Sequence, residues 1–325
     1  MSTSPNDIAY FRPAPTVDTG IPGGPILAAQ LHDDLGELTP DRGRYIAVVS
    51  LLAPSSQKLA AAVFWSGAAD YIEVIDVDRG RLTRVSDSEL IFVDDSSARA
   101  HRDSALRAAA GIRMPVLVDT RPDDAGRRRI SNDVYDLPWR IGTRLGSAAG
   151  YLGALRTEPE SVRAHRLRWE QRIFTDLHAG VYRAGFLERQ SEYERQVLDV
   201  AGFLADLDAA VAAEAYLGGA APGLADLWAF TLLVRFDHVY GPLFRLHALR
   251  LTDYPALLDY VRRLYRDPVL RATTDFDAIT LGYYYGISSL RRSVVPLGVR
   301  DRYLLTDAVS AVVRTTARNA GRDHE

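Results

Sequence analysis

A turn suited to binding a thiolate lies early in the chain, at Ala53-Pro54-Ser55. The stretch before it, Tyr45 to Ser50, is apolar and predicts a buried strand, and a helix is predicted to follow. The start of a helix carries unpaired N–H groups and positive dipole, which stabilise a thiolate. The residue at this position is alanine, and the 325 residues contain no cysteine. The sequence therefore excludes a cysteine nucleophile, a thiolate metal site and a disulfide.

Hydroxyl groups are the other polar groups near this turn. Ser50, Ser55 or Ser56 could stabilise the thiolate of an incoming small thiol, or a serine could simply cap the following helix. The seven histidines lack the spacing of a metal site, so we predict no metal. There is also no Gly-x-Gly-x-x-Gly or Walker loop for a nucleotide.

Composition narrows the range of partners. The formal net charge is −3, which does not favour nucleic acid or an anionic membrane. No apolar run is long enough to span a membrane, and the N-terminus lacks a secretory signal pattern. We expect a cytoplasmic protein that acts on a small molecule and binds neither nucleic acid nor membrane.

The elements that position the turn alternate between strand and helix from 44 to 145. This order, strand, helix and strand followed by a hairpin and a helix, predicts a thioredoxin-like α/β domain. The predicted strands cover 45–51 and 71–77, an apolar run at 114–118 and a short strand ending at Ile130, and the predicted helices cover 56–65, a stretch near 96–110 and one opening near Asn132.

Helical spacing dominates from 146 to 325, which predicts an all-α second domain. Ser191 and Glu194 have the spacing of a capping box, and Gly223 precedes a second apolar helix. Residues 1–43 are rich in proline and glycine and predict an extended arm. A set of arginines with helical spacing predicts a solvated charged face: Arg163, Arg166, Arg168 and Arg172.

Specific motifs in the helical half carry a family resemblance. They are Gly180-Val181-Tyr182-Arg183-Ala184-Gly185-Phe186, the segment Leu233 to Tyr240, Tyr254-Pro255, and Tyr283-Tyr284 with Pro296-Leu297-Gly298. In this order they resemble the xi-class glutathione transferases, the glutathionyl-hydroquinone reductases. The resemblance covers about residues 44 to 300 and implies a thioredoxin-like domain followed by the helical glutathione-transferase domain.

The resemblance also shows what this chain lacks. Family members carry Cys-Pro-Trp where this sequence has Ala53-Pro54-Ser55, and their cysteine attacks the sulfur of a glutathionyl-quinol. A methyl group cannot form the mixed disulfide. We therefore expect that this chain is not an active cysteine-dependent glutathionyl-hydroquinone reductase.

The glutathione-binding positions that the resemblance implies are partly retained. Met114-Pro115 corresponds to the family's cis-proline, and a trans proline ending a loop is the alternative. Asp133 keeps the acid that takes the γ-glutamyl amine, whereas Val134 replaces a serine; Asp133 could instead only cap a helix. Ala53 and Ser55 complete this candidate site for glutathione or another low-molecular-weight thiol.

The acceptor side is better preserved. The resemblance implies that Tyr182, Tyr283 and Tyr284 face the pocket for the quinol, with Gly282 in place of a histidine. A buried phenol can donate a hydrogen bond to a developing oxyanion or act as a general acid. The alternative for each is a packed aromatic side chain whose hydroxyl is satisfied.

Two functions follow as hypotheses. The first is a transferase-like enzyme acting on an electrophilic or quinone-like small molecule through pocket tyrosines, by addition, elimination, ring opening or isomerisation. The second is a non-catalytic binding or partner protein with the same fold. The resemblance also implies a homodimer.

Overall fold

The computed structural model describes residues 31–93, 99–286 and Val295. Most of the predicted N-terminal arm and the Pro296-Leu297-Gly298 motif lie outside the described residues. The described part of the arm packs closely on the domain, because Leu35 and Leu38 are buried in the core and Asp33 forms a β-bridge to Ser131.

A six-stranded sheet forms the N-terminal half, in the order β4-β3-β2-β1-β5-β6. β1 pairs parallel to β2, and every other pairing is antiparallel. The part of the sheet from β2 to β6 contains the four strands that were predicted from the sequence, β1, β2, β5 and β6. The strands are β1 (Tyr45–Val49), β2 (Ile72–Asp76), β3 (Gly80–Ser86), β4 (Glu89–Val93), β5 (Val116–Pro122) and β6 (Arg128–Ser131).

The hairpin of β3 and β4 was not predicted. It extends the sheet beyond β2, and Leu82 and Leu90 are the side chains it buries. The remaining positions of these strands are mostly polar or partly exposed, as is common at a sheet edge. The segment Arg81 to Val85 does not alternate regularly between apolar and polar residues, so the sequence carries no clear strand signal there.

Helices make up the rest of the described chain. Two of them, α1 and α2, cover opposite faces of the sheet, and the others form the helical half. They are α1 (Pro54–Ser66), α2 (Arg99–Ala108), α3 (Leu137–Arg140), α4 (Glu160–Arg172), α5 (Ala179–Phe186), α6 (Gln190–Ala213), α7 (Leu224–Leu233), α8 (Gly241–Leu243), α9 (Pro255–Tyr265), α10 (Pro268–Ala272) and α11 (Phe276–Gly286). Three π-helical turns accompany them, at Ile141–Leu145, Ile173–His178 and Phe236–Tyr240.

Helix α1 is enclosed between the sheet and the helical half. All of its residues except Ser55 are buried, including Gln57 and Lys58. One large apolar cluster runs from the sheet through α1 into α7, and a smaller one lies on the other face of the sheet under α2. Since α1 contacts both halves, it brings the β1–α1 turn to their interface.

Two local predictions for the helical half are corrected. Helix α6 begins at Gln190, and Arg189 at its N-cap makes no side-chain capping bond, so Ser191 does not cap it. Arg166 is buried rather than on a solvated face, because its guanidinium donates to Glu158 at 2.8 Å and to Glu170 at 3.0 Å. The periodicity could not distinguish a buried ion pair from a charged surface.

Helix α7 agrees with the prediction. It begins after Gly223, and each of its residues is buried. The carboxylate of Asp226 accepts the N–H groups of Leu217 and Gly223 and the hydroxyl of Tyr260.

Within residues 31–93 and 99–286, no helix combines the length and the hydropathy of a membrane-spanning segment.

Candidate functional site

Three segments of the predicted thiol site meet at one edge of the sheet. β5 is antiparallel to β1 with Val116 opposite Val48, so Met114-Pro115 lies beside the end of β1 that leads to Ala53. β6 is antiparallel to β5 with Ser131 opposite Leu117, which brings Asp133 to the same edge. The Met114-Pro115 peptide bond is cis, as predicted. The geometry therefore brings Ala53, Met114-Pro115 and Asp133 together.

Asp133 opens a helical turn, because its backbone oxygen accepts the N–H of Leu137 at 2.9 Å. Its buried carboxylate accepts the N–H groups of Tyr135 at 3.1 Å and Asp136 at 3.3 Å and closes a turn, and α3 begins only at Leu137. The helix predicted to open near Asn132 is thus present as this capped turn followed by α3, with Pro138 in the first turn of α3. One carboxylate oxygen that could hold a γ-glutamyl amine already binds this turn.

An acidic cluster surrounds this turn. Asp33, Asp133 and Asp136 offer carboxylate oxygens within 4.8 Å of one another. The guanidinium of Arg140 pairs with Asp33 and with Asp136, both at 3.2 Å, and supplies a counter-charge. We therefore do not assign a cation site to this cluster.

The β1–α1 turn has little side-chain chemistry of its own. Ala53 is the N-cap of α1 with extended backbone and makes no side-chain capping bond. The hydroxyl of Ser56 is buried and accepts the N–H of Ser50 at 3.2 Å, so it holds the turn rather than capping the helix. Ser55 is half-buried in the first turn of α1. Ser50 and Ser56 are buried, so Ser55 is the most exposed of the three serines.

Three tyrosine hydroxyls form a buried chain next to this turn. Tyr182 on α5 donates to the hydroxyl of Tyr283 on α11 at 3.3 Å. The hydroxyls of Tyr283 and Tyr240 lie 3.0 Å apart. Burial, reinforced by the neighbouring phenol of Tyr283, raises the pKa of both Tyr182 and Tyr240 well above the ordinary value. Tyr182 and Tyr240 are therefore protonated at neutral pH and can donate hydrogen bonds.

The other tyrosines of α11 differ in position. Tyr284 is buried one residue after Tyr283, about 100° around the helix. Tyr285 is exposed. A Cβ at Gly282 would lie 3.0 Å from Cβ of Leu52, so glycine lets α11 pack closely on the residue that precedes Ala53. A side chain at this position, such as the histidine that the resemblance implies, would require Leu52 to shift by a few tenths of an ångström.

A buried arginine ties the tyrosine chain to the β1–α1 turn. Arg235 donates to the backbone oxygens of Leu51 and Leu52, at 3.0 and 3.3 Å, and to the side chain of Gln57. These acceptors are neutral, and so is the remaining one, the carbonyl of Thr231. Burial lowers the pKa of Arg235, and the phenols of Tyr283, Tyr240 and Tyr182 oppose this shift. A fixed positive charge beside the phenols favours negative charge on a nearby oxygen.

An aromatic wall continues from Tyr182. The ring of His178 lies 5.7 Å from Tyr182 and 6.5 Å from Trp228, centroid to centroid. Its Nδ1 is buried without a hydrogen-bond partner among the described residues. Burial, with the charges of Lys58 and Arg113, lowers the pKa of His178 to about 3, so the ring is neutral at physiological pH.

Sequence reasoning missed four residues of this region. Arg235 and Tyr240 lie within the segment used for the resemblance, so their motif was a signal, but not their contacts. His178 and Tyr240 are the last residues of π-helical turns, which often occur at functional sites. Lys58 is the only lysine in the chain.

The sequence is similar to known glutathione transferases and glutathionyl-hydroquinone reductases. The family model for the glutathione S-transferase C-terminal domain matches residues 190–263. The glutathionyl-hydroquinone reductase YqjG of Escherichia coli is 30% identical over 193 residues, covering 58% of this chain and 54% of that protein. The glutathionyl-hydroquinone reductase PcpF of Sphingobium chlorophenolicum is 31% identical over 178 residues, covering 54% and 56%. The chain matches about half the length of these curated relatives.

Solved structures share the fold. The glutathione-bound structure of YqjG superposes with a TM-score of 0.65 and 23% identity, covering 81% of this chain and 86% of that one. The xi glutathione transferase of Phanerochaete chrysosporium gives a TM-score of 0.62 with 24% identity, covering 82% and 94%. The predicted fold class, a thioredoxin-like domain followed by a helical glutathione-transferase domain, is confirmed.

Proposed function

We propose that this chain is a transferase-like enzyme acting on an electrophilic or quinone-like small molecule. Its sequence similarity to two glutathionyl-hydroquinone reductases and its glutathione-transferase fold support the proposal. Pocket tyrosines replace the cysteine in its mechanism. The observation that carries the proposal is the buried chain of Tyr182, Tyr283 and Tyr240 beside Arg235. Tyr284 is retained in the proposal as a buried pocket residue.

The chemistry follows from protonation and charge. When a nucleophile adds to a quinone-type ring, an electron pair moves onto the carbonyl oxygen. A protonated phenol can donate a hydrogen bond to that oxygen, and the charge of Arg235 stabilises the negative charge that develops there. No thiol of the protein is needed for addition, elimination, ring opening or isomerisation.

The first test removes the hydroxyls. In an assay of p-benzoquinone consumption with glutathione, corrected for the uncatalysed rate, Tyr182→Phe and Tyr283→Phe should each lower kcat about 100-fold, since each removes one donor to an oxyanion. Tyr285→Phe is the matched control, because Tyr285 is exposed on the same helix, and it should retain activity.

Two outcomes would contradict the proposal. A triple variant lacking the hydroxyls of Tyr182, Tyr283 and Tyr284 that keeps full activity would exclude a tyrosine mechanism. A wild-type protein that never exceeds the uncatalysed rate with any quinone, yet binds one, would support the second candidate, a non-catalytic binding protein. The loss of the family's cysteine and tryptophan at Ala53 and Ser55 favours that candidate.

The thiol site gives a separate prediction. We expect glutathione to bind weakly, in the millimolar range, because one oxygen of Asp133 already accepts two backbone N–H groups and Val134 offers no hydroxyl. Calorimetric titration with glutathione measures this affinity, with Asp133→Asn as the variant expected to weaken it further. Absence of heat with any small thiol would leave a thiol-independent site. A homodimer remains part of the proposal.

A further inference from the structure

Lys58 has an unusual environment for a lysine. It is the only lysine in the chain, which has 39 lysines and arginines in total. Its side chain is buried in α1, with the residue 4% exposed. The Nζ atom lies 4.2 Å from the centroid of the Trp228 ring and 5.9 Å from that of Tyr135. The only primary amine among the side chains of the sequence is thus in the interior.

Aromatic rings are the contacts of this amine. In the part of the chain that the structure describes, Nζ has these ring contacts and no hydrogen bond or ion pair. The nearby carboxylate of Glu170 accepts from Arg166 at 3.0 Å, and its charge raises the pKa of Lys58. The titratable groups around it are Glu170 and Arg166 on α4, Tyr135 in the loop after β6, and His178 before α5.

This environment increases the fraction of Lys58 that is in the neutral, nucleophilic form at physiological pH. Burial, together with the charge of Arg166, lowers the pKa of Lys58 to about 8, against the opposing effect of Glu170. An exposed lysine has a pKa near 10.4, so the neutral fraction of Lys58 at pH 7 is about 100-fold larger or more. An arginine in this position would stay charged and could not act as a nucleophile.

The amine is connected to the tyrosine site through one indole ring. Trp228 contacts Lys58 on one side, and the ring of His178 lies against the same indole and against Tyr182. Tyr135 and His178 are half-buried, so this wall reaches solvent. The charge of Arg113, an exposed residue next to Met114, acts on Tyr135, His178 and Tyr182 alike. A flat ligand between these groups would meet both the phenols and the amine.

We propose that Lys58 is the amine nucleophile of this site and adds to a quinone-type electrophile. The amine nitrogen forms a bond to a ring carbon of the quinone. The π bond of the adjoining carbon–carbon double bond breaks, and an electron pair moves through the conjugated system onto the carbonyl oxygen. The proton of the resulting ammonium passes to that oxygen, and the ring C–H proton moves to the second oxygen. The product is an amino-hydroquinone, with no external oxidant or reductant. The choice of a quinone rests on the proposed function.

Labelling with p-benzoquinone tests this assignment. We expect one adduct on the peptide that contains Lys58, formed at pH 7 about 100-fold faster than on Nα-acetyl-lysine in the same tube. The labelling rate should rise with pH to a midpoint near 8, because the neutral amine is the reactive form. Since Lys58 is the only lysine, peptide mapping by mass spectrometry distinguishes it from the α-amine.

Lys58→Arg is the matched variant. It retains the charge over the Trp228 ring and should keep the fold by circular dichroism while losing the adduct. Lys58→Met, which removes the charge, should likewise give no adduct. Absence of an adduct on the folded wild-type chain, or a labelling midpoint above pH 10, would overturn the proposal.

The two proposals fail separately. Tyr285→Phe should leave the labelling of Lys58 intact, because Tyr285 is exposed and is not one of the proposed site residues. Tyrosine-dependent turnover without an adduct would overturn the role of Lys58 and support the proposed function. An adduct with no turnover by any variant would support the role of Lys58 and contradict the proposed function.

Discussion

Arg235→Met is expected to lower the free energy of unfolding by about 3 kcal/mol, the larger part of it from backbone carbonyls left without a donor. The guanidinium supplies the hydrogen bonds of Leu51, Leu52 and Thr231 in a fully buried position. Methionine fills the space but donates nothing. Urea denaturation followed by circular dichroism measures the change.

Arg189→Met is the control for this prediction. The side chain of Arg189 is 81% exposed and pairs only with Glu192 at the surface, so the change in stability should stay within about 0.5 kcal/mol. The Arg235 variant should also lose the activity that depends on Tyr182 and Tyr283, because the β1–α1 turn is no longer held to α7. A variant as stable as wild type would show that these carbonyls find other donors.

The second large effect is expected at Arg166. Arg166→Met should lower the free energy of unfolding by about 3–5 kcal/mol, because it leaves the buried carboxylates of Glu158 and Glu170 without their counter-charge. The side chains of Arg166, Glu158 and Glu170 are at most 9% exposed, so water cannot compensate. Equilibrium unfolding at pH 7 measures the loss.

A compensated variant checks the cause. Replacing Glu158 and Glu170 with glutamine together with Arg166→Met should recover most of the lost stability, since neither carboxylate remains as a buried charge without Arg166. If the single and the triple variants are equally unstable, packing rather than charge explains the effect. In the single variant the pKa of Lys58 should also rise above about 8, because Arg166 lowers that pKa and Glu170 raises it. The midpoint of Lys58 labelling then moves to higher pH.

The predicted and observed folds differ mainly in segments that are rich in polar residues. The apolar stretches at β1 and β5 and the helix α7 were predictable because burial demands apolar residues at the right spacing. The hairpin of β3 and β4 was missed because its side chains are largely solvated. Burial of Arg166 was missed because a helical row of arginines looks the same whether its partners are water or buried glutamates.

The candidate site shows the same division. The sequence by itself determined that no thiol of this protein can act as nucleophile, that Met114-Pro115 and the acid at Asp133 are present, and that tyrosines occur in the helical half. These are properties of residue type and of order along the chain.

Only the tertiary structure decided which of these groups meet. Tyr240 joins Tyr182 and Tyr283, and Arg235 brings its charge to them, through contacts between residues far apart in sequence. Burial then sets their protonation, since desolvation disfavours the charged form of each group. Because α1 is enclosed between the sheet and the helical half, the only lysine of the sequence is a buried amine, and its pKa is about 8.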